Sequence, residues 1–181
     1  LADNQGEVRV HGSRFTGGIG AWDGRKFEGW LPGPGGRASA CARVTLSGCV
    51  FTGGRGVGNP GADGFVETTS AVAAWSSTFT GGRGSDNAYT LSIPTPGGPG
   101  FRATSYGVFA AGCVFEGGRG GTENDLCIFS SAAGGPGIFL PPSGTQARFM
   151  ESSAHGGPGG AFFCGPAGPA AGEELVRRLG V

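Results

Sequence analysis

Four stretches of this chain, VHGSRFTGGIG, LSGCVFTGGRG, AWSSTFTGGRG and AAGCVFEGGRG, set Phe15, Phe51, Phe79 and Phe115 in one frame, each followed one residue later by Gly-Gly. The last three close modules of sixteen residues that align without a gap: 36–51 (GRASACARVTLSGCVF), 64–79 (GFVETTSAVAAWSSTF) and 100–115 (GFRATSYGVFAAGCVF). Residues ahead of Phe15 follow the frame less closely. Gly137 opens a further module (GIFLPPSGTQARFMES) that ends without the Phe. Module starts at Gly36, Gly64, Gly100 and Gly137 are 28, 36 and 37 residues apart, so the variation in length falls in the stretches 52–63, 80–99 and 116–136. Modules of constant length joined by variable Gly-rich stretches describe a stack of equivalent units with excursions on one side.

Composition alone points elsewhere. With 41 Gly and 12 Pro among 181 residues the chain could pass for disordered low-complexity sequence. Against that stand a hydrophobic fraction of 38%, 13 Phe and 3 Trp, which is too much apolar surface for a solvated coil. Thirteen basic and thirteen acidic side chains cancel, so there is no charge footprint for nucleic acid. The longest apolar run is far shorter than the roughly 20 residues of a spanning helix.

Within a module the period is two, which is the period of a strand. Val44, Val72, Val108 and Thr145 share one position, and Leu46, Ala74, Ala110 and Ala147 share the position two later. Gly48, Ser76 and Gly112 follow at a common corner, where a small residue or a positive φ is useful. Cys49, Ser77 and Cys113 then alternate inward with the Phe. Such short strands bury nothing alone. Stacked at about 4.8 Å per layer, they form parallel sheets around a column Phe15–Phe51–Phe79–Phe115. The expected fold is all-β, a parallel β-helix of four or five coils spanning residues 1–170.

The stacking constrains the cysteines. Cys49 and Cys113 lie two layers apart, about 9.6 Å, beyond the roughly 7 Å Cα limit for a disulfide. They are expected to be buried free thiols, and Cys41, Cys127 and Cys164 have no evident mates. Residues 171–181 read as a short capping helix: Glu173 and Glu174 precede Arg177 and Arg178 by four, Leu175, Val176 and Leu179 form one stripe, and Gly180 stops it. The opening at Leu1 and the single Met, Met150, suggest a processed chain or a piece of a longer one.

Residues 7–163, through the F-x-G-G loops and GGPG at 97–100, 134–137 and 156–159, resemble right-handed parallel β-helix repeat proteins of the pectin-lyase-like kind. The resemblance implies a right-handed, single-stranded coil. It also implies a structural or surface-exposed interaction domain of a secreted or cell-surface protein, whose partner would be a polysaccharide or another surface protein. The competing expectation is a polysaccharide lyase or hydrolase, or a carbohydrate-binding module, working from the loop face. The β-helix hydrolases of that family share paired Asp residues and a Gly-His-Gly segment. This chain has no Asp-Asp pair, and neither His11 nor His155 follows a Gly. No catalytic residue is assigned.

Three candidate sites remain. Arg55, Arg83 and Arg119 share one position past the Gly-Gly and could form a guanidinium ladder for sulfate, phosphate or uronate, unless loop acids such as Asp63 and Asp86 neutralise them. Asp86, Glu123 and Asp125 lie on excursions from the same side and could offer oxygens to Ca²⁺, the one cofactor to consider, although Asp and Asn are ordinary turn residues and the spacing matches no calcium loop. Trp22, Trp30 and Trp75 could line a sugar platform. Trp75 follows the inward Ala74 and should therefore face outward or sit at the corner.

Overall fold

In a computed structural model of the chain, residues 6–20, 31–86, 94–104, 107–122, 131–140 and 146–160 are described. Strands β1 (Glu7–His11) and β2 (Arg14–Thr16) open the order. Three-strand rungs follow: β3 (Gly36–Ser39), β4 (Arg43–Ser47) and β5 (Val50–Thr52), then β6 (Phe65–Thr68), β7 (Val72–Trp75) and β8 (Thr78–Thr80). The third rung is β9 (Phe101–Ala103), β10 (Val108–Ala111) and β11 (Val114–Glu116), and the last is β12 (Ile138–Phe139), β13 (Ala147–Met150) and β14 (Ser153–His155). The strands pair in parallel to form three sheets: β3-β6-β9-β12, β1-β4-β7-β10-β13 and β2-β5-β8-β11-β14. This is an all-β parallel solenoid. From β3 to β12 the chain returns to the first sheet three times, so it makes about three full turns where four or five coils were expected. No helix among the described residues is long and apolar enough to cross a membrane. The expected C-terminal helix at 171–181 lies outside them.

The interior follows the period of two. Val44, Val72 and Val108 stand opposite one another, as do Leu46, Ala74 and Ala110, and all six are buried. Phe15, Phe51, Phe79 and Phe115 stack at centroid separations of 5.0, 5.4 and 5.1 Å with ring planes within 8° of parallel. Phe15, on the terminal strand, is 39% exposed, and no further ring among the described residues stacks on its outer side. A second column, not expected from the modules, runs beside the first. Phe65 stacks on Phe101 at 5.6 Å, and these rings meet Phe51, Phe79 and Phe115 edge to face. The two columns interlock as a herringbone, the arrangement that the ring quadrupole favours. Each buried ring contributes about 1.5–3 kcal/mol by area alone.

Two registers differ from the gapless alignment. In the first module Gly36 pairs with Phe65, not with Gly64. The expected register would have aimed Arg37 into the core beside Phe65. The one-residue slip turns Arg37 out and Ala38 in. The extra residue is absorbed in the corner between Ser39, opposite Thr68, and Val44, opposite Val72. In the last module Ala147, not Thr145, stands opposite Val108, and Phe149 stands opposite Ala110. Thr145 itself lies outside the described residues. This two-residue shift keeps the parity and brings Phe149 edge-on to Phe115 at 5.8 Å, covering a column that Ala154 continues without a ring.

The corner before the third sheet is left-handed in every layer: Gly12, Gly48, Ser76, Gly112 and Glu151 have φ between 45° and 62°. At the other corner Glu67, fully buried, accepts hydrogen bonds from the backbone N–H of Ser70 (2.6 Å) and Thr104 (3.1 Å). Cys49 and Cys113 are buried free thiols, as the layer spacing requires, and so is Cys41; Cys127 and Cys164 lie outside the described residues. Burial pushes the Cys113 thiol above its ordinary pKa, which keeps it protonated and inert.

The Gly-rich side is not a fringe of loops. Outgoing Gly-Gly segments and returning segments alternate in one hydrogen-bonded lattice. Gly33 N–H donates to Gly18 O, Gly54 to Gly33, Ala62 to Gly54, Gly82 to Ala62, Gly98 to Gly82, Gly118 to Gly98, Gly135 to Gly118 and Gly157 to Gly135, all at 2.7–3.0 Å. One residue earlier and two later, Gly53 and Gly56 bond instead to Thr80 and Arg83 of the next coil. That period of three is the repeat of a polyproline II strand. A Cβ on Gly54, Gly82 or Gly118 would fall inside a neighbouring backbone carbonyl, so only Gly lets the layers approach this closely.

Candidate functional site

On the Gly-rich side, the guanidinium ladder is largely spent within the protein. Arg83 Nη2 donates to both oxygens of Asp86 (2.6 and 2.7 Å), and Arg55 Nη2 reaches its Oδ2 across the coil at 3.1 Å. The amide of Thr122 donates to Oδ1 at 2.8 Å. Asp86 thus accepts four hydrogen bonds, the full capacity of a carboxylate. Calcium there would meet two guanidiniums and no free oxygen on this residue; Glu123 and Asp125 lie outside the described residues. No group of three or more potential metal-ligating His, Cys, Asp or Glu residues occurs among those described. Arg119 is exposed and makes no ion pair among the described residues. Asp63, the other candidate neutraliser, pairs instead with Arg102 on the outside of the first sheet, through Nε at 2.8 Å and Nη2 at 3.1 Å. The Arg102 guanidinium also lies 4.9 Å over the Phe139 ring.

A concavity lies elsewhere, on the outer face of the second sheet. It is an open trough of about 640 Å³ over β1, β4, β7, β10 and β13. The alternation that turns the Val and Ala columns inward turns every other residue out. Immediately before β7 and β10 come Ala71 and Gly107, and with Ala73 on β7 they are too small to rise above the sheet and make the floor. Trp75 and Phe109 make a wall, with ring centroids 5.7 Å apart and planes tilted by 51°. Trp75 is 38% exposed, in the outward position its neighbour Ala74 requires. Trp22 and Trp30 lie outside the described residues.

Larger polar side chains close the ends. At one end Glu7 accepts from Arg9 Nη2 (2.7 Å) and from Thr45 Oγ1 (2.9 Å), and these bonds hold its carboxyl below the usual carboxylate range. Arg43 beside it forms no ion pair among the described residues. Arg148 stands exposed at the other end, likewise without one. One carboxylate against three guanidiniums leaves two positive charges in the trough.

No protein-family model matches this chain, and no curated protein does. The site therefore rests on its own geometry. Trp75 was legible as outward from its neighbour. Phe109, Arg43 and Arg148 were not singled out, although the parity of Val108, Val44 and Ala147 places each of them on the same face.

Proposed function

We propose that this chain is a non-catalytic interaction domain, a rigid parallel solenoid that presents the outer face of its second sheet to a ligand. One contrast supports the reading: on the Gly-rich side Arg55 and Arg83 converge on Asp86, whereas the trough sets Arg43 and Arg148, without ion pairs among the described residues, on the same face as the exposed Trp75 and the half-buried Phe109. The one acid among its described lining residues, Glu7, is held by Arg9 and Thr45 and has no second carboxylate across the trough with which to share acid and base roles. A right-handed coil of the pectin-lyase-like kind, and a secreted or cell-surface setting, follow from the F-x-G-G and GGPG resemblance. The motif likeness speaks to architecture more than to activity.

Incubating the full chain with neutral and acidic polysaccharides, and following both retention on immobilised polymer and release of reducing or unsaturated ends, tests this reading. Retention on at least one polymer without release is expected. Release that scales with protein concentration would make the chain an enzyme and overturn the proposal.

A further inference from the structure

The two ends of the stack differ. In the last coil Ile138, Phe149 and Ala154 are buried. At the first, Phe15 is 39% exposed, Ile19 71% and Leu31 75%, and β1 and β2 are the outermost strands of their sheets. We propose that the β1/β2 end is a docking surface for the same end of a second copy of this chain, which closes a two-fold dimer. The contact is independent of the trough and of any ligand there.

Three observations converge. The first is a glycine whose own coil does not require it. In the Gly-rich lattice a Cβ on Gly54, Gly82 or Gly118 would strike the carbonyl of Gly18, Gly54 or Gly82 in the coil before it. Gly18 holds the same place in the first coil, yet its φ is not left-handed and no described atom lies within 4 Å of a Cβ built on it. The amides of Gly54, Gly82 and Gly118 donate to the layer before them, whereas that of Gly18 has no acceptor among the described residues. This end therefore keeps the space and the hydrogen-bonding capacity for one more layer of backbone. The second observation is a break in the repeat. Ile19 occupies the row that carries Arg55, Arg83 and Arg119 in the later coils, so the outermost member of that row is apolar, at the end that also exposes Phe15 and Leu31. The third is the edges themselves. β1 and β2 pair with β4 and β5 without a bulge and contain no Pro, so their outer sides offer main-chain groups to a further strand.

An identical end fits these demands. A cover must approach to backbone depth over Gly18 and present unpaired main-chain groups along β1 and β2, and a second copy brings both. The far end does not, because its apolar residues are already buried. Copies therefore cannot add head to tail, and the contact closes at two. The end layer, residues 6–20 with 31–35, holds about twenty residues, within the roughly 20–30 a side of a stable interface.

Sedimentation equilibrium on the full chain, from about 1 to about 100 μM, tests the proposal. The mass is expected to rise from 17.9 kDa to twice that value and to stop there. Ile19→Arg installs the residue that its row carries elsewhere, and Gly18→Leu fills space that a single copy leaves open, so both variants should keep the thermal midpoint of the dilute parent chain. Each substitution enters a two-fold contact twice and is expected to raise the dissociation constant at least about a hundredfold. Arg119→Gln, on the same row but at a later coil, should leave it unchanged. A monomer at the highest concentration, a mass that keeps growing with concentration, or end variants that dimerise like the parent each overturn the assignment. An end covered by the chain's own residues would give the first of these results, and head-to-tail stacking the second.

Discussion

Phe79→Ala is expected to cost about 3–5 kcal/mol, the range for emptying a buried aromatic site. Phe79 is fully buried at the crossing of both columns, stacked between Phe51 and Phe115 and edge-on to Phe65 and Phe101. Four rings lose a neighbour at once, and flanking parallel strands tied coil to coil cannot collapse into the void. That loss is comparable to the whole stability of many small domains, about 5–15 kcal/mol. A large fall in the denaturation midpoint is therefore expected in urea, with the slope little changed. Phe79→Leu keeps most of the volume and should retain a measurable transition if the Ala variant does not fold. A midpoint shift for Phe79→Ala no larger than that of an exposed position would mean the rings do not carry the core.

The second large effect belongs to a residue with no side chain. Gly118→Ala places a methyl inside the carbonyl of Gly82, and the contacts are backbone, so no rotamer change relieves them. Overpacking ordinarily costs about 1–3 kcal/mol. Here the cost should reach or exceed the top of that range, because shifting one coil breaks the hydrogen bonds from Gly118 to Gly98 and from Gly135 to Gly118. Gly112→Ala is the matched control. Gly112 has φ 61° but no atom closer than 3.7 Å to its added Cβ, so only the left-handed backbone is penalised, by about 1 kcal/mol. Thermal or urea unfolding of the two variants in parallel reads the difference. Equal midpoints would mean that the Gly-rich segments are loops after all and not a packed lattice.

These two substitutions also show where the sequence was legible. The inward Val and Ala columns and the stacked Phe column follow from recurrence at a fixed module position. The corner at Gly48, Ser76 and Gly112 was legible for the same reason, since a left-handed residue recurs in each layer. The second ring column was hidden because only Phe65 and Phe101 carry it, with Ile138 in the third place. The one-residue slip at Gly36 was hidden because a gapless string alignment does not charge for burying Arg37. Gly-Gly was read as loop because flexibility and close packing call for the same residue.

The trough was the least legible part, for a general reason. A repeat makes visible what successive coils share, whereas a ligand site uses what they do not. Arg43, Trp75, Phe109 and Arg148 each occur once, on four different strands, and only the parallel register gathers them onto one face. The Arg55, Arg83 and Arg119 row had the opposite history: it recurs and so stood out, yet two of its three guanidiniums are tied to Asp86.

Ring-to-ring proton contacts in a chain isotopically labelled at phenylalanine test the stacking order most directly. Cross-peaks should join Phe51 to Phe79 and Phe79 to Phe115, whose centroids are 5.4 and 5.1 Å apart, and none should join Phe51 to Phe115, two layers apart. A direct Phe51–Phe115 contact, or silence between Phe79 and both neighbours, would contradict the order of the coils and the site built on it.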